Sequence, residues 1–298
     1  MPAAIETRGL TKYYGDHPGL IDVDLEVPAR SIFGFLGPNG AGKTTLIRLL
    51  LDLLRPTRGS ATVLGLDTRR DVLELHARLG YLPGDLALYE DLTAREHLRW
   101  LGQLRAGVPD ERIDALGRRL GLELDRRIGD LSKGNRQKVG LVQAFMHEPE
   151  LLILDEPTSG LDPLVQHTFH EVVNEVVADG RTVFLSSHVL TEVEQLCDRV
   201  GIVRAGRLAA VEDVEVLRER SLRRVAVRFA DGVPPELARL PGVHDLQTEQ
   251  SRATLHLEGE VDRLLKELAR HRVVDLQIEP ADLEDIFLRF YRDGRDAG

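Results

Sequence analysis

Several features are scarce in this chain of 298 residues, and each scarcity narrows what the protein can be. Cys197 is the single cysteine, so an intrachain disulfide is impossible and a cysteine-rich metal site is not expected. The longest apolar stretch, residues 46–54, is interrupted by Arg48 and Asp52, and it is far shorter than the ~20 residues that span a bilayer. The first residues lack the basic start and apolar core of a signal peptide, which predicts a cytosolic location.

Basic residues are also in deficit, with 39 Lys and Arg against 49 Asp and Glu and a formal net charge of −10. An acidic balance disfavours sequence-independent binding to nucleic acid or to an anionic membrane, so we expect no nucleic-acid partner. What is present, 42% apolar and 30% charged residues, is typical of a soluble globular protein. The length allows one large domain and a small one.

The most informative stretch is residues 37–44, Gly-Pro-Asn-Gly-Ala-Gly-Lys-Thr, which matches the phosphate-loop pattern G-x-x-x-x-G-K-[ST]. Its glycines let backbone N–H groups close on phosphates, Lys43 can reach the β- and γ-oxygens, and the Thr44 hydroxyl can ligate Mg²⁺. An apolar run over 31–36 predicts a buried strand before the loop. Leucine spacing over 46–54 predicts a helix after it. Strand, loop and helix together predict a nucleoside triphosphate site.

A second cluster of polar groups follows the apolar run 151–154, which predicts a buried parallel strand ending in Asp155 and Glu156. Asp155 is placed to hold Mg²⁺, and Glu156 is the better candidate to orient and deprotonate an attacking water. The alternative is two surface acids that close a strand. The upstream phosphate loop disfavours that alternative.

Two further positions keep both a structural and a functional interpretation. Residues 182–188 predict a strand that ends at His188. A lone histidine there is more often structural, but its place at the same kind of strand end favours a γ-phosphate contact. Asp162, followed by Pro163, is a good N-cap for the next helix, and this role can coexist with a functional one.

Composition along the chain predicts two domains. Residues 1–215 alternate strand-like and helix-like segments, which indicates an α/β domain, and 83–146 are typical of a helical insertion into it. Residues 216–223 form the predicted linker. Residues 224–298 then read strand, helix, strand, strand, helix, strand, the order of a small α+β ferredoxin-like domain, with its last helix over 283–291.

The ordered motifs resemble those of the ATP-binding subunits of ABC transporters. Residues 131–137, Leu-Ser-Lys-Gly-Asn-Arg-Gln, are similar to that family's signature, usually written LSGGQ, and lie where the family has it, shortly before the carboxylate strand. The resemblance covers residues 1 to about 215. It implies an ATPase that binds ATP and Mg²⁺ and works as a dimer of cassettes, with a second copy of this chain or with a homologous cassette.

The resemblance also implies a role for each matching residue. Tyr14 would stack on the adenine, and Ser132 and Gly134 would contact the γ-phosphate of ATP bound to the partner cassette. Asp155 is the implied metal-side acid, Glu156 the catalytic base, His188 the switch histidine, and Asp162 part of the loop at the dimer interface. The implied phosphate and magnesium site comprises Gly37, Asn39, Gly40, Gly42, Lys43, Thr44 and Thr45.

Three positions depart from the family pattern. Gly84 stands where the family usually has a glutamine in the loop that joins the core to the helical insertion, so either Asp85 substitutes for that side chain or its contact is missing. Lys133 replaces the second signature glycine and adds a cation near the phosphate. Asn135 replaces the signature glutamine with a shorter side chain. We still expect the chain to bind ATP with these changes. We expect them to affect the rate of ATP hydrolysis and its coupling to transport.

The end of the chain refines the expected function. Residues 280–291 and the small domain before them resemble the C-terminal part of ATPases from bacterial drug and antibiotic exporters. We therefore expect an ATPase subunit that drives export through a separate integral membrane permease and sits at the cytoplasmic, inner face of the cell membrane. Two alternatives are an importer ATPase with a regulatory C-terminal domain and a soluble, non-transport ABC ATPase.

The segment just after Gly84 is a candidate for the contact with the permease, because the family docks its permease there. The alternative is that its apolar side chains belong to the core of the helical insertion, and one residue along a rim can do both. The residues concerned are Leu86, Leu88, Tyr89 and Leu92.

Overall fold

The computed structural model describes residues 3–105, 107–220 and 223–279. They form two compact units, and the division along the chain falls between Val211 and Glu212. The strands are β1 (Ala3–Tyr14), β2 (His17–Pro28), β3 (Ile32–Leu36), β4 (Arg58–Val63), β5 (Leu66–Asp67), β6 (Leu79–Leu82), β7 (Leu151–Asp155), β8 (Thr182–Ser187), β9 (Arg199–Arg204), β10 (Arg207–Asp213), β11 (Arg223–Phe229), β12 (Val243–Glu249), β13 (Arg252–Leu257) and β14 (Val273–Glu279). The helices are α1 (Lys43–Leu50), α2 (Val72–Ala77), α3 (Ala94–Gln103), α4 (Asp110–Arg119), α5 (Lys133–Phe145), α6 (Pro163–Ala178), α7 (Leu190–Leu196), α8 (Val214–Arg220) and α9 (Asp262–Leu268).

A six-stranded sheet in the order β10-β9-β3-β8-β7-β6 carries the predicted motifs. Strand β3 runs parallel to β8 and β9, and β7 runs parallel to β6 and β8. Every residue of β3, β7 and β8 is buried, as continuous apolar runs in a covered parallel sheet require. The parallel register places the carboxyl ends of these three strands together, and the α/β prediction for this part of the chain is confirmed.

An antiparallel sheet in the order β2-β1-β4-β5 makes up the start of the chain. Strands β1 and β2 are 12 residues each and pair antiparallel, and β4 pairs with the other edge of β1. The expectation that helices alternate with strands throughout residues 1–215 is therefore wrong here. Strand β2 shows the reason, because Val23, Leu25 and Val27 are buried while the charged residues between them face outward, a period of two.

Helix α1 is shorter than its leucine spacing predicts. It ends at Leu50, and the chain turns at Leu51 and Asp52, where Asp52 has φ of +50°. Leu53 is then largely exposed rather than on the buried face of a helix. The predicted continuation to residue 54 is wrong because the chain leaves the helix six residues before Pro56.

Helices α3, α4 and α5 occupy the segment predicted to be helical, 83–146. Thr93 caps α3 through a reciprocal capping box with Glu96, which fixes the start of the helix. Across the described ranges 3–105, 107–220 and 223–279, no helix combines the length and apolar character of a membrane span.

The second unit contains a four-stranded antiparallel sheet in the order β12-β13-β11-β14. Alternating residues of β11 and β13 pack with Leu264 and Leu268 of α9 into a separate apolar core. A 3₁₀ turn, Pro235–Arg239, stands where the first short helix is expected. Helix α8 covers Val214–Arg220, a stretch that overlaps the predicted linker 216–223. The predicted helix over 283–291 lies outside the described residues.

Candidate nucleotide site

The phosphate loop connects β3 to α1, and its glycines are required by close approaches. A Cβ at Gly37 would lie 2.5 Å from the backbone oxygen of Val203, and one at Gly42 would lie 2.7 Å from that of Gly19. Gly42 also has φ of +112°, which side-chain-bearing residues rarely adopt, and Gly40 has φ of +78°. The loop therefore keeps its backbone free to face an anion in front of α1.

Lys43, the first residue of α1, is buried and bends back over this loop. Its Nζ donates to the backbone oxygens of Gly37 at 2.6 Å and Pro38 at 3.3 Å. The same atom lies 3.2 Å from Oε1 of Glu156, so the lysine and the candidate base form an ion pair. A phosphate that binds Lys43 must compete with this carboxylate.

Thr44 and Asp155 meet at the carboxyl end of β7. The Thr44 hydroxyl donates to Oδ2 of Asp155 at 2.8 Å. Asp155 is fully buried, and the hydroxyl of Ser186 on β8 donates to its other oxygen, Oδ1. Two neighbouring strands and the phosphate loop thus hold this carboxylate in one orientation.

Glu156 lies between the phosphate loop and His188. Its Oε2 is 2.7 Å from Nδ1 of His188, which follows directly after β8. The backbone of Glu156 has φ of +52°, in a region that costs a non-glycine residue of the order of 1–3 kcal/mol. Its N–H is held by the backbone oxygen of Ser186 at 3.2 Å and by the Ser186 hydroxyl. The structure therefore brings Lys43, Glu156 and His188 into one contiguous set of contacts.

Gln137 is a supporting residue to which the sequence pattern assigns no role. This buried side chain of α5 donates through Nε2 to the backbone oxygens of Pro157 at 3.0 Å and Glu156 at 3.3 Å. It ties the helix that begins at the signature segment to the loop that carries Glu156. A glutamine among the polar residues of a helix start gives no local signal that its side chain is buried.

Two cavities flank the phosphate loop. One of about 360 Å³ is lined by Tyr14 and by the predicted phosphate-site residues Asn39, Gly40, Gly42, Lys43, Thr44 and Thr45. Tyr14 is partly exposed, and its hydroxyl lies 3.4 Å from Oγ1 of Thr45. The aromatic ring is thus at the edge of the phosphate loop, where a base attached to a bound triphosphate can reach it.

The second cavity, of about 340 Å³, contains the catalytic candidates and Gly84, one of the three positions that depart from the family pattern. Asp155, Glu156 and His188 line it together with Gly84 and Asp85. A Cβ at Gly84 would lie 3.3 Å from Oδ2 of Asp155, so this glycine is directly against the carboxylate that is predicted to hold the metal. Asp85 is exposed at the same wall.

Ser132, Gly134 and Asp162 lie in a different place. Among the described residues, the linings of these two cavities include none of the three. Ser132 caps α5 by accepting a hydrogen bond from the N–H of Asn135, and Asp162 caps α6 by accepting one from the N–H of Val165. Each of these side chains therefore has the structural role of a helix N-cap. Gly134 packs against the loop before Asp162, since a Cβ there would lie 2.5 Å from the backbone oxygen of Gly160.

The segment after Gly84 divides between core and surface. A Cβ at Gly140 of α5 would lie 2.6 Å from Cδ2 of Leu86, so Leu86 packs into the helical segment. Tyr89 is half exposed and stacks edge-on against Trp100, with 5.2 Å between ring centroids. Leu86 therefore fits the interpretation as core of the helical segment, whereas the docking interpretation of Tyr89 stays a prediction.

A phosphate loop whose lysine touches a carboxylate at the end of a parallel strand defines a nucleoside triphosphatase of the phosphate-loop class. Comparison with known proteins specifies the family. The model of the family described as "ABC transporter" matches residues 20–159. Bacitracin transport ATP-binding protein BcrA of Enterococcus faecalis is 32% identical over 99% of this chain and 98% of its own length.

Two further likenesses agree. Nod factor export ATP-binding protein I of Rhizobium meliloti is 34% identical over 96% of this chain and 87% of its own. A solved structure of the ATP-binding subunit of an ABC transporter is 34% identical, with a TM-score of 0.67 over 72% of this chain and 92% of its own. The chain belongs to the ATP-binding subunits of ABC transporters, and it is an ATPase that binds ATP.

Proposed function

We propose that this ATPase drives the export of an antibiotic or a similar compound through a separate membrane permease. The names of two relatives that match almost the whole chain, one for bacitracin transport and one for Nod factor export, support an export role. In this proposal the chain lies at the cytoplasmic, inner face of the cell membrane, where it meets its permease. In this proposal the transported compound contacts the permease, so the sequence of this subunit does not determine which compound is exported.

The observation that carries the catalytic part is the contact between Glu156 and both Lys43 and His188. When the γ-phosphate of ATP takes Lys43, the Glu156 carboxylate is released from its ion pair and can accept a proton from the attacking water. His188, 2.7 Å from the other carboxylate oxygen, orients Glu156 and lies where it can donate to a γ-phosphate oxygen. Lys43 and the loop N–H groups stabilise the charge on the phosphates.

The residues present fit a magnesium ion. Cis ligands of octahedral Mg²⁺ lie about 2.9 Å apart, and the Thr44 hydroxyl oxygen and Oδ2 of Asp155 are 2.8 Å apart. Both are hard oxygen donors, and the phosphates of the nucleotide complete such a site in related enzymes. We therefore assign Thr44 and Asp155 as the groups that hold Mg²⁺, which would neutralise charge on the phosphate oxygens.

The signature segment supports a composite site shared by two cassettes. Ser132 and Gly134 lie at the start of α5, away from the cavities at the phosphate loop of their own chain. A helix start with exposed N–H groups suits a γ-phosphate, and the partner cassette supplies one. In this arrangement Ser132 and Gly134 of one copy close over ATP held by Lys43 of the other, and Asp162 lies at the interface between them.

The domain assignment remains a proposal: an ATP-binding domain over 1–215, a linker over 216–223 and an accessory domain over 224–298. The sheet order β12-β13-β11-β14, with α9 on its buried face, supports a ferredoxin-like fold for the accessory domain. Antiparallel pairing of β11 with both β13 and β14 is the pairing that this fold requires.

Replacing the base tests this mechanism. We predict that Glu156→Gln binds ATP at least as tightly as the wild type, because it no longer competes for Lys43, while kcat falls by about 10²-fold or more. With ATP but not ADP, the variant accumulates as a dimer, measured by light scattering after gel filtration. Glu171→Gln, at an exposed carboxylate of α6, is the matched control and keeps the wild-type rate. Near-normal turnover of Glu156→Gln would rule out Glu156 as the base.

A further inference from the structure

Glu192 on α7 is a buried carboxylate next to the nucleotide site that the proposed mechanism does not use. Only 8% of its surface is exposed, and no residue of opposite charge is in contact with its carboxyl oxygens among those the structure describes. Its Oε2 accepts a hydrogen bond of 2.6 Å from the hydroxyl of Ser187, the last residue of β8. Its Oε1 is buried and has no hydrogen-bond partner within the described residues. Burying a carboxylate with one oxygen unpaired costs free energy of folding, and a role at the neighbouring site would account for its presence.

The Ser187 hydroxyl closes the turn that contains His188. It accepts a hydrogen bond of 2.9 Å from the N–H of Val189, so the turn that presents His188 is closed by one oxygen atom. The hydroxyl has a single proton, and the backbone oxygen of Val189 at 3.2 Å is the weaker acceptor for it. The short bond to a carboxylate is stronger, so Glu192 fixes the direction of the hydroxyl and leaves its lone pairs for Val189.

Glu192 also lies close to the loop that follows the candidate base. Burial raises the pKa of its carboxyl, and the nearby hydroxyls of Ser187 and Thr158 oppose that shift. Thr158 is two residues after Glu156. The charge of Glu156 raises the pKa further and that of His188 lowers it, which indicates that all three groups share one electrostatic environment. The carboxyl group of Glu192 thus contacts the segment that carries His188 and lies near the loop that follows Glu156.

We infer that Glu192 is a positioning residue for His188: through Ser187 it holds the turn that keeps Nδ1 of His188 against Glu156. This inference rests on the proposed role of His188 in hydrolysis. Glu192 touches neither His188 nor a nucleotide, so it acts only through the Ser187 hydroxyl. Its replacement therefore changes the rate of hydrolysis and leaves the contacts of the phosphate loop with ATP unchanged.

The substitutions separate this role from simple packing. Glu192→Ala removes the acceptor of the Ser187 hydroxyl, which then turns to Val189 and loosens the turn at His188. We predict that kcat falls about tenfold or more while the Kd for ATP changes by less than about twofold, because small displacements of a catalytic group are costly in rate. Glu192→Gln offers a carbonyl oxygen of the same reach and is expected to retain kcat to within about threefold.

The decisive experiment measures kcat and the Kd for ATP in Glu192→Ala, Glu192→Gln, His188→Ala and the double variant Glu192→Ala/His188→Ala. Gln195→Ala, at an exposed residue of the same helix, is the control for α7, and thermal unfolding checks that each variant is folded. If Glu192 acts through His188, the double variant is no slower than His188→Ala alone.

Three results would overturn the inference. Losses in kcat that multiply in the double variant would show that Glu192 acts independently of His188. Failure of Glu192→Gln to restore the rate in a folded protein would show that the acceptor oxygen is not what matters. A slow His188→Ala beside a normal Glu192→Ala would overturn the inference alone, whereas a normal His188→Ala would overturn the proposed role of His188 as well.

Discussion

Glu156 shows most clearly how single residues at this site depend on one another. One carboxylate oxygen lies against Lys43 and the other against His188, on a backbone with φ of +52°. An amide can keep the contact with His188 but cannot accept a proton from water, which separates binding from hydrolysis. In the proposed mechanism, Lys43 exchanges the Glu156 carboxylate for a phosphate, so ATP binding and activation of the base are the same event.

Gly84 is one of the three residues that depart from the expected family pattern, and its surroundings indicate what a side chain there would do. We predict that Gly84→Gln raises kcat about threefold or more, because its Cβ would lie 3.3 Å from Oδ2 of Asp155 and its amide would extend toward the metal side of the site. Steady-state ATPase assays measure the effect.

Gly84→Ala is the matched control for this prediction, since it adds the Cβ and no amide. It is expected to leave kcat within about twofold of the wild type, because Asp155 needs to give by only a few tenths of an ångström. Equal rates for the glutamine and alanine variants would contradict the idea that the missing amide limits hydrolysis.

At the scale of elements, the start of α5 and the loop before α6 form a single packed joint. Gly134 lies against the backbone of Gly160, and Gln137 from the next turn of α5 holds the oxygens of Pro157 and Glu156. The signature segment and the loop after the catalytic strand are thus fixed to each other within one chain. We therefore expect a substitution at the start of α5 to affect the position of Glu156.

A methyl group tests this joint. We predict that Gly134→Ala destabilises the protein by about 1–3 kcal/mol and lowers kcat, because its Cβ would lie 2.5 Å from the Gly160 oxygen and the loop must move away. Thermal or urea unfolding together with ATPase assays measures both effects. Lys133→Ala changes the exposed neighbouring residue and is expected to leave stability unchanged; equal stability of the two variants would show that the contact is not tight.

The elements also show what a sequence can and cannot predict. Strands β3, β7 and β8 are predictable because buried parallel strands are continuous apolar runs, and α6 because Asp162 and Pro163 mark its start. The pairing of β1 with β4, some 50 residues further along the chain, has no local signal. The end of α1 is missed because leucines continue the helical period beyond the turn at Asp52.

The candidate site divides in the same way. Lys43, Thr44, Asp155, Glu156 and His188 are predictable because their chemistry and order form known motifs, and the structure brings them together. Gln137 and Glu192 are not predictable, since each is a polar residue on a helix whose burial is created by distant segments. Tertiary contacts, and not residue type, give these two side chains their place at the site.

At the scale of the whole molecule, the hypothesis requires the chain to meet a permease and a second cassette. Tyr89 and Trp100 form an exposed aromatic pair in the helical segment, on a chain whose net charge is −10. Exposed aromatic side chains are enriched where proteins bind one another. Tyr89, with Trp100 of α3 beside it, is therefore our candidate for docking, whereas Leu86 is packed against α5.

A charge at this pair tests the docking surface. We predict that Tyr89→Asp lowers transport about tenfold or more while ATP binding by the isolated subunit is unchanged, because a carboxylate in an apolar contact must be desolvated. Resistance of cells that express the full transporter and calorimetric titration with ATP measure the two effects. Leu73→Asp, at another exposed apolar residue, is the control. Normal transport, or a loss of ATP binding, would remove Tyr89 from the docking surface.

The most direct test of the central claim, a site completed by two chains, is complementation between two inactive variants. Lys43→Ala cannot hold the phosphates, and Ser132→Arg blocks the signature that it offers to its partner. Each alone should be inactive, whereas an equal mixture should recover about a quarter of the wild-type ATPase rate, because half of the dimers then carry one intact site of two. A mixture that exchanges subunits and remains inactive, or activity of Ser132→Arg alone, would contradict the composite site.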